Sequence, residues 1–293
     1  MSAVLALVGP TASGKSGVAE EVAQRRGDVE VVAVDAFTVY RGMDIGTAKP
    51  SPEVRAAVRH HMIDILEPED DVSVQWFQEH ARAAIADIHA RDRIPLLVGG
   101  SGLYFRAVVD RLRFPPTDPD VRSRLEAEHD SDAAAAHATL AAADPVAAAA
   151  IDPNNLRRIV RALEVIELTG EPFSSFREAW DNWHSVYDLH PVQLDVPDLD
   201  ARIDERTATM LAAGLLDEAA ALRQRALSRT ARQAIGYAEA FAVLEGVAGH
   251  DGLHAAISRR TRRYARRQRS WFARDPRLHP VGTHEAVRRL CVC

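Results

Sequence analysis

The sequence is poor in lysine, in cysteine and in long apolar runs. Of its 36 Lys and Arg residues only two are lysines, Lys15 and Lys49. Its two cysteines, Cys291 and Cys293, come too late in the chain to cross-link a core or to complete a four-ligand zinc site. No apolar run approaches the ~20 residues that span a bilayer, and no basic segment with a cleavage site precedes the first strand. We therefore expect a cytoplasmic protein with no membrane partner, and we exclude a disulfide scaffold.

The composition is that of a globular protein with an uneven distribution of charge. The 293 residues are 47% hydrophobic and 27% charged, which suffices for one large domain or two modest ones. The net charge of −6 argues against general coating of nucleic acids. Between Ser258 and Arg274, however, the chain has eight arginines and no carboxylate. Because like charges repel unless an anion neutralises them, this segment indicates a local anionic partner.

A phosphate-binding pattern stands at the start of the chain, between a predicted strand (residues 4–8) and a predicted helix (residues 16–26). It matches G-x-x-x-x-G-K-[ST] at every fixed position. In this setting the backbone N–H groups and the helix N-terminus hold an anion. Lys15 would reach the outer phosphate oxygens, and the Ser16 hydroxyl would hold Mg²⁺. The residues predicted to hold a di- or triphosphate here are Gly9, Pro10, Thr11, Ala12, Ser13, Gly14, Lys15 and Ser16.

Strand and helix patterns alternate around this loop and indicate a parallel α/β sheet. Residues 29–34 and 94–98 have the composition of buried strands, and residues 74–90 have the apolar spacing of a crossover helix. From Thr117 the chain becomes Ala-rich and helical, which indicates an insertion. We expect a P-loop NTPase-like parallel sheet flanked by helices in residues 1–116 and 198–280, a mainly helical insertion in residues 117–197 and a tail in residues 281–293.

Two polar residues follow predicted strands at the edge where ligands of parallel sheets bind. Asp35 ends the second strand and is the best candidate for a reacting carboxylate, although a cap or a magnesium ligand is an alternative reading. Ser101 follows the third strand and could donate a hydrogen bond to a substrate or act as a plain N-cap. That strand ends without an acidic residue, which weakens the reading as an ordinary ATPase.

Arginine clusters form the remaining candidates. Arg232, before a glycine-hinged helix, is by itself most simply a surface residue. The seven arginines between Arg259 and Arg269 surround a helix and favour a polyanion, and a smaller cluster spans Arg157 to Arg161. The pair His60-His61 lacks a third ligand at useful spacing and does not predict a metal site.

Further motifs follow the phosphate loop in a fixed order. They are Met43-Asp44-Ile45-Gly46-Thr47-Ala48-Lys49-Pro50, Pro95-Leu96-Leu97-Val98-Gly99-Gly100, Arg161-Ala162-Leu163-Glu164-Val165, Arg232-Gln233-Ala234-Ile235-Gly236-Tyr237 and Thr261-Arg262-Arg263-Tyr264-Ala265-Arg266-Arg267-Gln268. With them, nearly the whole chain resembles the tRNA dimethylallyltransferase family (tRNA isopentenyltransferases). Its members transfer a dimethylallyl group from dimethylallyl diphosphate to N6 of the adenine 3′ of the anticodon in tRNA.

The resemblance implies roles for individual residues. Asp35 would be the general base for N6, and Ser101 would hydrogen-bond near the reacting base. The phosphate loop, Mg²⁺ at Ser16 and Arg232 would hold the diphosphate leaving group. The insertion would grip the anticodon stem-loop, the target adenine would be flipped into the cleft, and no obligate protein partner is implied. The tRNA-binding residues implied are Asp35, Ala36, Phe37, Thr38, Ser101, Arg122, Arg157, Arg158, Ile159, Val160, Arg161, Gln233 and Gly236.

Four positions depart from the family pattern. Where the family has Asp-Ser-x-Gln-x-Tyr, this chain has Ala36 and Thr38 after Asp35, so its reading of the adenine edge differs. Ser101 replaces the family's threonine after the paired glycines, and Arg266 replaces a lysine.

Two other functional classes share part of these features. A P-loop small-molecule kinase that uses ATP would need the same loop but leaves the arginine-rich helix and the insertion without a role. A non-enzymatic RNA-binding protein would leave Asp35 beside the phosphate loop without a role.

Overall fold

Six strands, all parallel, form one sheet in the order β3-β2-β4-β1-β5-β6. The structure is a computed structural model that describes residues 3–130, 132–180 and 182–292. The strands are rich in Val, Leu and Ile because helices cover both faces of a parallel sheet. This architecture confirms the predicted α/β fold class. The strands are β1 (Ala3–Val8), β2 (Val29–Val34), β3 (His60–His61), β4 (Ile94–Gly99), β5 (Asp188–Leu194) and β6 (Pro280–Val281).

The chain divides into two compact units, residues 1–110 with 185–293 and residues 111–184. The first unit contains the sheet and two hydrophobic clusters, which pack on its two sides around residues such as Phe77 and Val22. Its helices within the described residues are α1 (Lys15–Arg26), α2 (Pro52–Ala57), α3 (Val74–Ala90), α4 (Gly102–Val109), α9 (Leu199–Ala212), α10 (Leu215–Leu222), α11 (Arg229–Arg232), α12 (Tyr237–Leu244), α13 (Leu253–Phe272) and α14 (Thr283–Val292).

The second unit is helical and has its own core around Leu140 and Ile159. Side chains of Asp118, Asp132, Asp144 and Asn155 accept hydrogen bonds from the first turns of its four α-helices, so each start was encoded locally. These helices are α5 (Pro119–His129), α6 (Ala133–Ala143), α7 (Pro145–Ala150) and α8 (Leu156–Thr169), followed by a 3₁₀ helix (Phe173–Trp180).

Two segments differ from the sequence-based expectation. Residues 188–194, expected in the mainly helical insertion, form β5 (Asp188–Leu194), which pairs with β1 in the sheet. Residues 283–292, expected in a tail, form α14, and Leu290 is fully buried. The amphipathic pattern of α14 is too short to predict that this helix packs against the rest of the unit. Its partner α1 is remote in sequence, and Arg26 Nη1 of α1 donates to Leu290 O at 3.0 Å.

None of the helices within the described residues combines the length and the apolar composition that crossing a membrane requires.

Candidate active site

A cavity of about 910 Å³ opens at the carboxyl ends of the central strands. Thr11 follows β1, Asp35 follows β2 and Gly99 ends β4, and all three line the cavity. Helix α9 adds Arg206 and helix α13 adds Gln268 to its wall. The cavity therefore lies where ligands of open parallel sheets bind.

The phosphate loop is held in shape by close backbone contacts. Lys15 Nζ donates to Gly9 O at 2.9 Å and to Pro10 O at 2.6 Å, which keeps the ammonium group over the loop. At Gly9 a Cβ would overlap the carbonyl group of Leu194 in β5, so only glycine fits there. Gly14, at φ 90°, is the residue from which α1 begins. The predicted loop is thus an anion cradle at a helix N-terminus.

Asp35, Lys15 and Arg206 interact electrostatically inside the cavity. Burial and, to a smaller extent, the Arg206 guanidinium lower the pKa of Lys15 to about 7, and the Asp35 carboxylate opposes both effects. Burial likewise raises the pKa of Asp35, which the Phe37 N–H at 2.8 Å, Lys15 and Arg206 oppose. Burial lowers the pKa of Arg206, and Asp35 opposes this. Two cations and one carboxylate thus share a poorly solvated site, which favours a polyanionic ligand.

Gln268 connects the arginine-rich helix to this site. Its Oε1 accepts a hydrogen bond from Thr11 N at 2.9 Å, and its Nε2 donates to Gly100 O at 2.8 Å. A Cβ at Gly100 would overlap the Gln268 amide, so the glycine is needed for this approach. The motif around Gln268 therefore fixes the phosphate loop against the end of β4.

Glu218 and Tyr237 fix the loop that carries the Gly-Thr-Ala-Lys motif. The Glu218 carboxylate accepts hydrogen bonds from the backbone N–H groups of Asp44 (3.0 Å), Ile45 (3.0 Å) and Gly46 (3.3 Å). Tyr237 donates its hydroxyl to Glu218 at 2.5 Å and accepts from Gly46 N at 3.1 Å. A Cβ at Gly46 would overlap the Tyr237 ring. These hydrogen bonds thus connect the Gly-Thr-Ala-Lys motif to the motif that ends at Tyr237, although the two are distant in sequence.

We expect Glu218→Ala to lower the free energy of unfolding by about 2–4 kcal/mol, because it leaves three backbone donors and the Tyr237 hydroxyl without their acceptor. Urea unfolding followed by circular dichroism measures this. The matched control is Asp217→Ala, an exposed neighbour on the same helix, which should change stability by less than about 0.5 kcal/mol. Equal losses in the two variants would contradict this role of Glu218.

Lys49, the second lysine of the chain, is buried at the rim of the cavity. Its Nζ donates to Tyr40 O (2.5 Å), Asp44 Oδ1 (2.7 Å) and Asp64 Oδ1 (2.5 Å). Because three acceptors surround a compact ammonium group, lysine suits this position better than the planar fork of arginine.

The structure brings other arginines to the phosphate loop than the one predicted. Arg232 pairs with Glu245 at 3.0 Å, is 60% exposed and does not line the cavity. Arg206 and Arg202 line it instead, and Arg202 Nε donates to Ala12 O at 3.0 Å. Both arginines lie on α9, a charged amphipathic helix. Nothing in the neighbouring sequence distinguishes them from arginines on a solvent-exposed helix face, so their position in the cavity could not be predicted.

The predicted site residues after β2 and β4 differ in whether they line the cavity. Thr38 lines the cavity, and its hydroxyl lies 3.5 Å from Met62 O, while Ala36 is not part of the lining. Ser101 caps α4 by accepting from Tyr104 N at 3.5 Å, so the cap reading of this serine is observed.

Gln233 and Gly236 lie in the turn before α12. Gln233 O accepts a hydrogen bond from Arg260 at 2.8 Å. Gly236, at φ 96°, begins α12, and its N–H donates to Glu239 at 2.9 Å. Neither residue lines the cavity.

In the helical unit, the predicted RNA contacts divide into buried and exposed residues. Ile159 and Val160 are 0% and 1% exposed, because the apolar face of α8 packs into the unit's core. Arg122 and Arg161 both bond to the buried Glu164, at 2.7 and 2.8 Å. Their charges therefore neutralise an internal carboxylate.

Arg157 and Arg158 are the exposed members of that cluster, and neither has an ion-pair partner among the described residues. Within this unit they are the predicted arginines whose charge is available to an external anion.

Helix α13 also divides its arginines by partner. Arg260 pairs with Glu239 at 2.8 Å, Arg262 with Asp204, and Arg269 with Asp195 at 2.6 Å. Four others have no carboxylate partner in the part of the chain that the structure describes, and their spacing of 4, 3 and 1 residues places them on one helix face. This unpaired stripe is Arg259, Arg263, Arg266 and Arg267.

The described residues contain no cluster of three or more His, Cys, Asp or Glu side chains that could hold a metal ion. Ser16 is exposed at the start of α1 and lines the cavity. The buried Ser13 hydroxyl has no hydrogen-bond partner among the described residues. One hydroxyl, phosphate oxygens and water are a coordination that Mg²⁺ accepts, so these residues fit a cation that arrives with a diphosphate.

The fold and the site define a P-loop α/β protein in which the phosphate loop and a carboxylate line the same cavity. The family model described as IPP transferase matches residues 38–275. A tRNA dimethylallyltransferase of Bifidobacterium longum is 49% identical over 285 residues, covering 94% of this chain and 85% of that relative. One from Streptomyces avermitilis is 51% identical over 281 residues, with 94% and 89% covered.

Solved structures agree with these matches. The tRNA isopentenylpyrophosphate transferase of Bacillus halodurans aligns with a TM-score of 0.71 and 38% identity, covering 100% of this chain and 95% of that one. A eukaryotic dimethylallyltransferase acting on tRNA aligns with a TM-score of 0.81 and 26% identity, covering 97% and 74%. The chain belongs to the tRNA dimethylallyltransferase (IPP transferase) family, as its motifs indicated.

Proposed function

We propose that this protein transfers a dimethylallyl group from dimethylallyl diphosphate to N6 of the adenine 3′ of the anticodon in tRNA and releases diphosphate. The observation that carries the proposal is the position of Asp35 in the wall of the cavity that the phosphate loop also lines, within electrostatic reach of Lys15 and Arg206. A bond to the allylic carbon can break there, beside a carboxylate that accepts a proton.

The reaction follows from these residues. The N6 amine of adenine attacks C1 of the donor, the N6–C1 bond forms and the C1–O bond breaks. The diphosphate leaves with the bonding electrons and with the bridging oxygen, while an N6 proton passes to the Asp35 carboxylate. Lys15, Arg206 and the backbone N–H groups of the loop stabilise the charge of the leaving group in a poorly solvated site.

A bound Mg²⁺, held by Ser16 and the diphosphate oxygens, would further neutralise the leaving group. This assignment is supported by the position of Ser16 in the lining of the cavity, beside the phosphate loop.

The tRNA contacts follow from charge. Arg157 and Arg158 in the helical unit, and the unpaired stripe on α13, present guanidinium groups without carboxylate partners. Such groups bind phosphates of an RNA backbone. We therefore assign the helical unit and this stripe to binding of the anticodon stem-loop. We further propose that the protein acts in the cytoplasm.

One assay tests the function against its rivals. Purified protein with Mg²⁺ receives unmodified tRNA with radiolabelled dimethylallyl diphosphate in one tube and with γ-labelled ATP in another. We expect label in tRNA only from the prenyl donor. Phosphate transfer from ATP without prenyl transfer would indicate a kinase, and tight tRNA binding without either transfer would indicate a non-enzymatic RNA-binding protein.

The pH dependence of turnover should report Asp35. Because burial raises the pKa of this carboxyl above its ordinary value, and because only the ionised form accepts a proton, kcat should fall with decreasing pH over a range above the usual ~3.9 of aspartate. Single-turnover rates at saturating donor and tRNA measure this. A rate that stays constant down to the ordinary aspartate range would contradict the assignment.

Salt dependence of tRNA binding should report the exposed arginines. Replacing Arg157 and Arg158 with Gln should weaken binding and reduce the slope of log Kd against log salt by about 1–2. The comparison variant is Arg124→Gln, an arginine of the same unit that already pairs with Glu167 at 2.5 Å. If both variants give the wild-type slope, the helical unit does not contact RNA phosphates.

A further inference from the structure

The chain leaves the first unit after Asp110 and returns to it at Ser185, and these two residues lie side by side. They form an isolated antiparallel bridge, and Val186 N donates to Val109 O at 2.8 Å. Opposed residues of such a pair have Cα atoms only about 4.5–5.5 Å apart. We name Val109, Asp110, Ser185 and Val186 the junction, and all four residues belong to the first unit.

The Asp110 side chain is buried at the centre of an ion network within this unit. Its carboxylate accepts hydrogen bonds from Arg106 Nε at 2.6 Å and from Arg277 Nη1 at 2.6 Å. Arg277 also donates through Nη2 and Nε to the Asp275 carboxylate, at 2.7 and 2.9 Å. The side chains of Asp110 and Asp275 are 1% and 2% exposed. Two buried carboxylates thus face two guanidinium groups, and the charges balance.

A further arginine holds the backbone at the same place. Arg82, on α3, donates through Nη2 to Asp110 O at 2.6 Å and through Nε to Val108 O at 2.9 Å. Gln78, one turn earlier on α3, donates to Ala107 O at 2.7 Å. Because the last carbonyl groups of a helix have no partner within that helix, these side chains cap the end of α4 and fix the backbone from which the chain leaves the unit.

Neither Arg277 nor Arg82 lines the cavity, so neither acts on the ligands directly. A buried ion network also adds little stability beyond what apolar residues of the same volume would give. Its directional hydrogen bonds, however, define a single arrangement of the groups that they join. The groups joined here are the two points at which the chain leaves and re-enters the first unit.

We propose that Arg277 and Arg82 are positioning residues for prenyl transfer to tRNA, which hold the junction in one arrangement and so keep RNA bound by the helical unit at a high effective concentration at the cavity. The inference rests on the proposed function, because that function assigns RNA to the exposed arginines of the helical unit and the reaction to the cavity. The junction is the covalent connection between these two activities. A stiff connection raises the effective concentration of a tethered reactant and improves its orientation.

The experiment compares Arg277→Gln and Arg82→Gln with the wild type, using the full chain, Mg²⁺, anticodon stem-loop RNA and labelled dimethylallyl diphosphate. The single-turnover rate at saturating RNA should fall about 10–100-fold in both variants. The Kd of the donor, measured without RNA, should change less than about twofold, because both residues are remote from the cavity lining. The Kd of the RNA should rise by less than the rate falls, because Arg157 and Arg158 are unchanged.

Hydrogen exchange followed by NMR reports the junction without any activity. The Val186 N–H, which is bonded to Val109 O across the junction, should exchange at least about tenfold faster in both variants than in the wild type. Arg82→Gln removes no member of the buried ion network, so it decides the test alone if Arg277→Gln does not fold.

Glu30→Gln is the matched control, since it alters another buried carboxylate of the same unit at the opposite, amino edge of the sheet. Glu30 is 5% exposed, accepts hydrogen bonds from Arg91 and His61 at 2.7 Å each, and does not line the cavity. Its replacement should change the transfer rate less than about threefold and leave exchange at Val186 unchanged.

The inference is overturned if both arginine variants keep the wild-type rate, if Glu30→Gln lowers the rate as much as they do, or if donor binding weakens in parallel with the rate. A wild-type protein that transfers no prenyl group to RNA, while Arg277→Gln or Arg82→Gln still speeds exchange at Val186, would contradict the proposed function alone.

Discussion

Asp35→Asn should lower kcat about 10²–10⁴-fold, because an amide cannot accept the N6 proton in the transition state. The substitution keeps the size of the side chain, and its oxygen can still accept the Phe37 N–H. The dissociation constants of dimethylallyl diphosphate and tRNA should therefore change little. Single-turnover transfer of labelled prenyl group, with separate binding measurements, gives both quantities.

The alternative reading of Asp35 as a magnesium ligand predicts a different result. Loss of a metal ligand would raise the Mg²⁺ concentration needed for half-maximal rate, and excess Mg²⁺ would restore part of the rate. Loss of a base leaves the Mg²⁺ dependence unchanged. Asp251→Asn, an exposed residue remote from the cavity lining, should behave like the wild type in both tests.

Arg206→Gln should raise the KM for dimethylallyl diphosphate about 10²–10³-fold, equivalent to roughly 3–4 kcal/mol, because a buried charge pairs with the leaving group. Arg232→Gln is the matched control from the predicted diphosphate set. Arg232 is 60% exposed and pairs with Glu245, so its loss should change KM less than about threefold.

Initial rates at saturating tRNA and varied donor measure both variants. A large rise in KM for Arg232→Gln with none for Arg206→Gln would contradict this assignment. The diphosphate-binding arginine would then be Arg232, as the family resemblance implied.

The parts of the site that could be predicted are those encoded in short segments. The phosphate loop needs glycines, a lysine and a helix start within eight positions, and Asp35 follows a strand of six residues. Such features depend on neighbours in sequence, so a single chain reveals them.

The parts that were missed depend on contacts between distant segments. Glu218 reaches backbone groups at Asp44 to Gly46, and Gln268 reaches Thr11 and Gly100. Nothing near Glu218 in the sequence distinguishes it from a solvated helix carboxylate. Motif membership indicated that Gln268 matters, but only the folded chain shows what it binds.

The charge of the arginine-rich helix could be predicted only in part. The segment itself contains no carboxylate, yet Asp195, Asp204 and Glu239 from other segments neutralise three of its arginines. Similarly, Arg122 and Arg161 both form ion pairs with the buried Glu164. Counting charges along a chain thus overstates the number that remain for RNA.

The most direct test of the account is the identity of the acceptor atom. An anticodon stem-loop RNA with adenine 3′ of the anticodon is incubated with the protein, Mg²⁺ and dimethylallyl diphosphate, beside the same RNA with inosine at that position, and the nucleosides are analysed by mass spectrometry. We expect N6-dimethylallyladenosine from the first RNA and no prenylated nucleoside from the second, which has no N6 amine. Prenylation of the inosine RNA, or of neither, would contradict it.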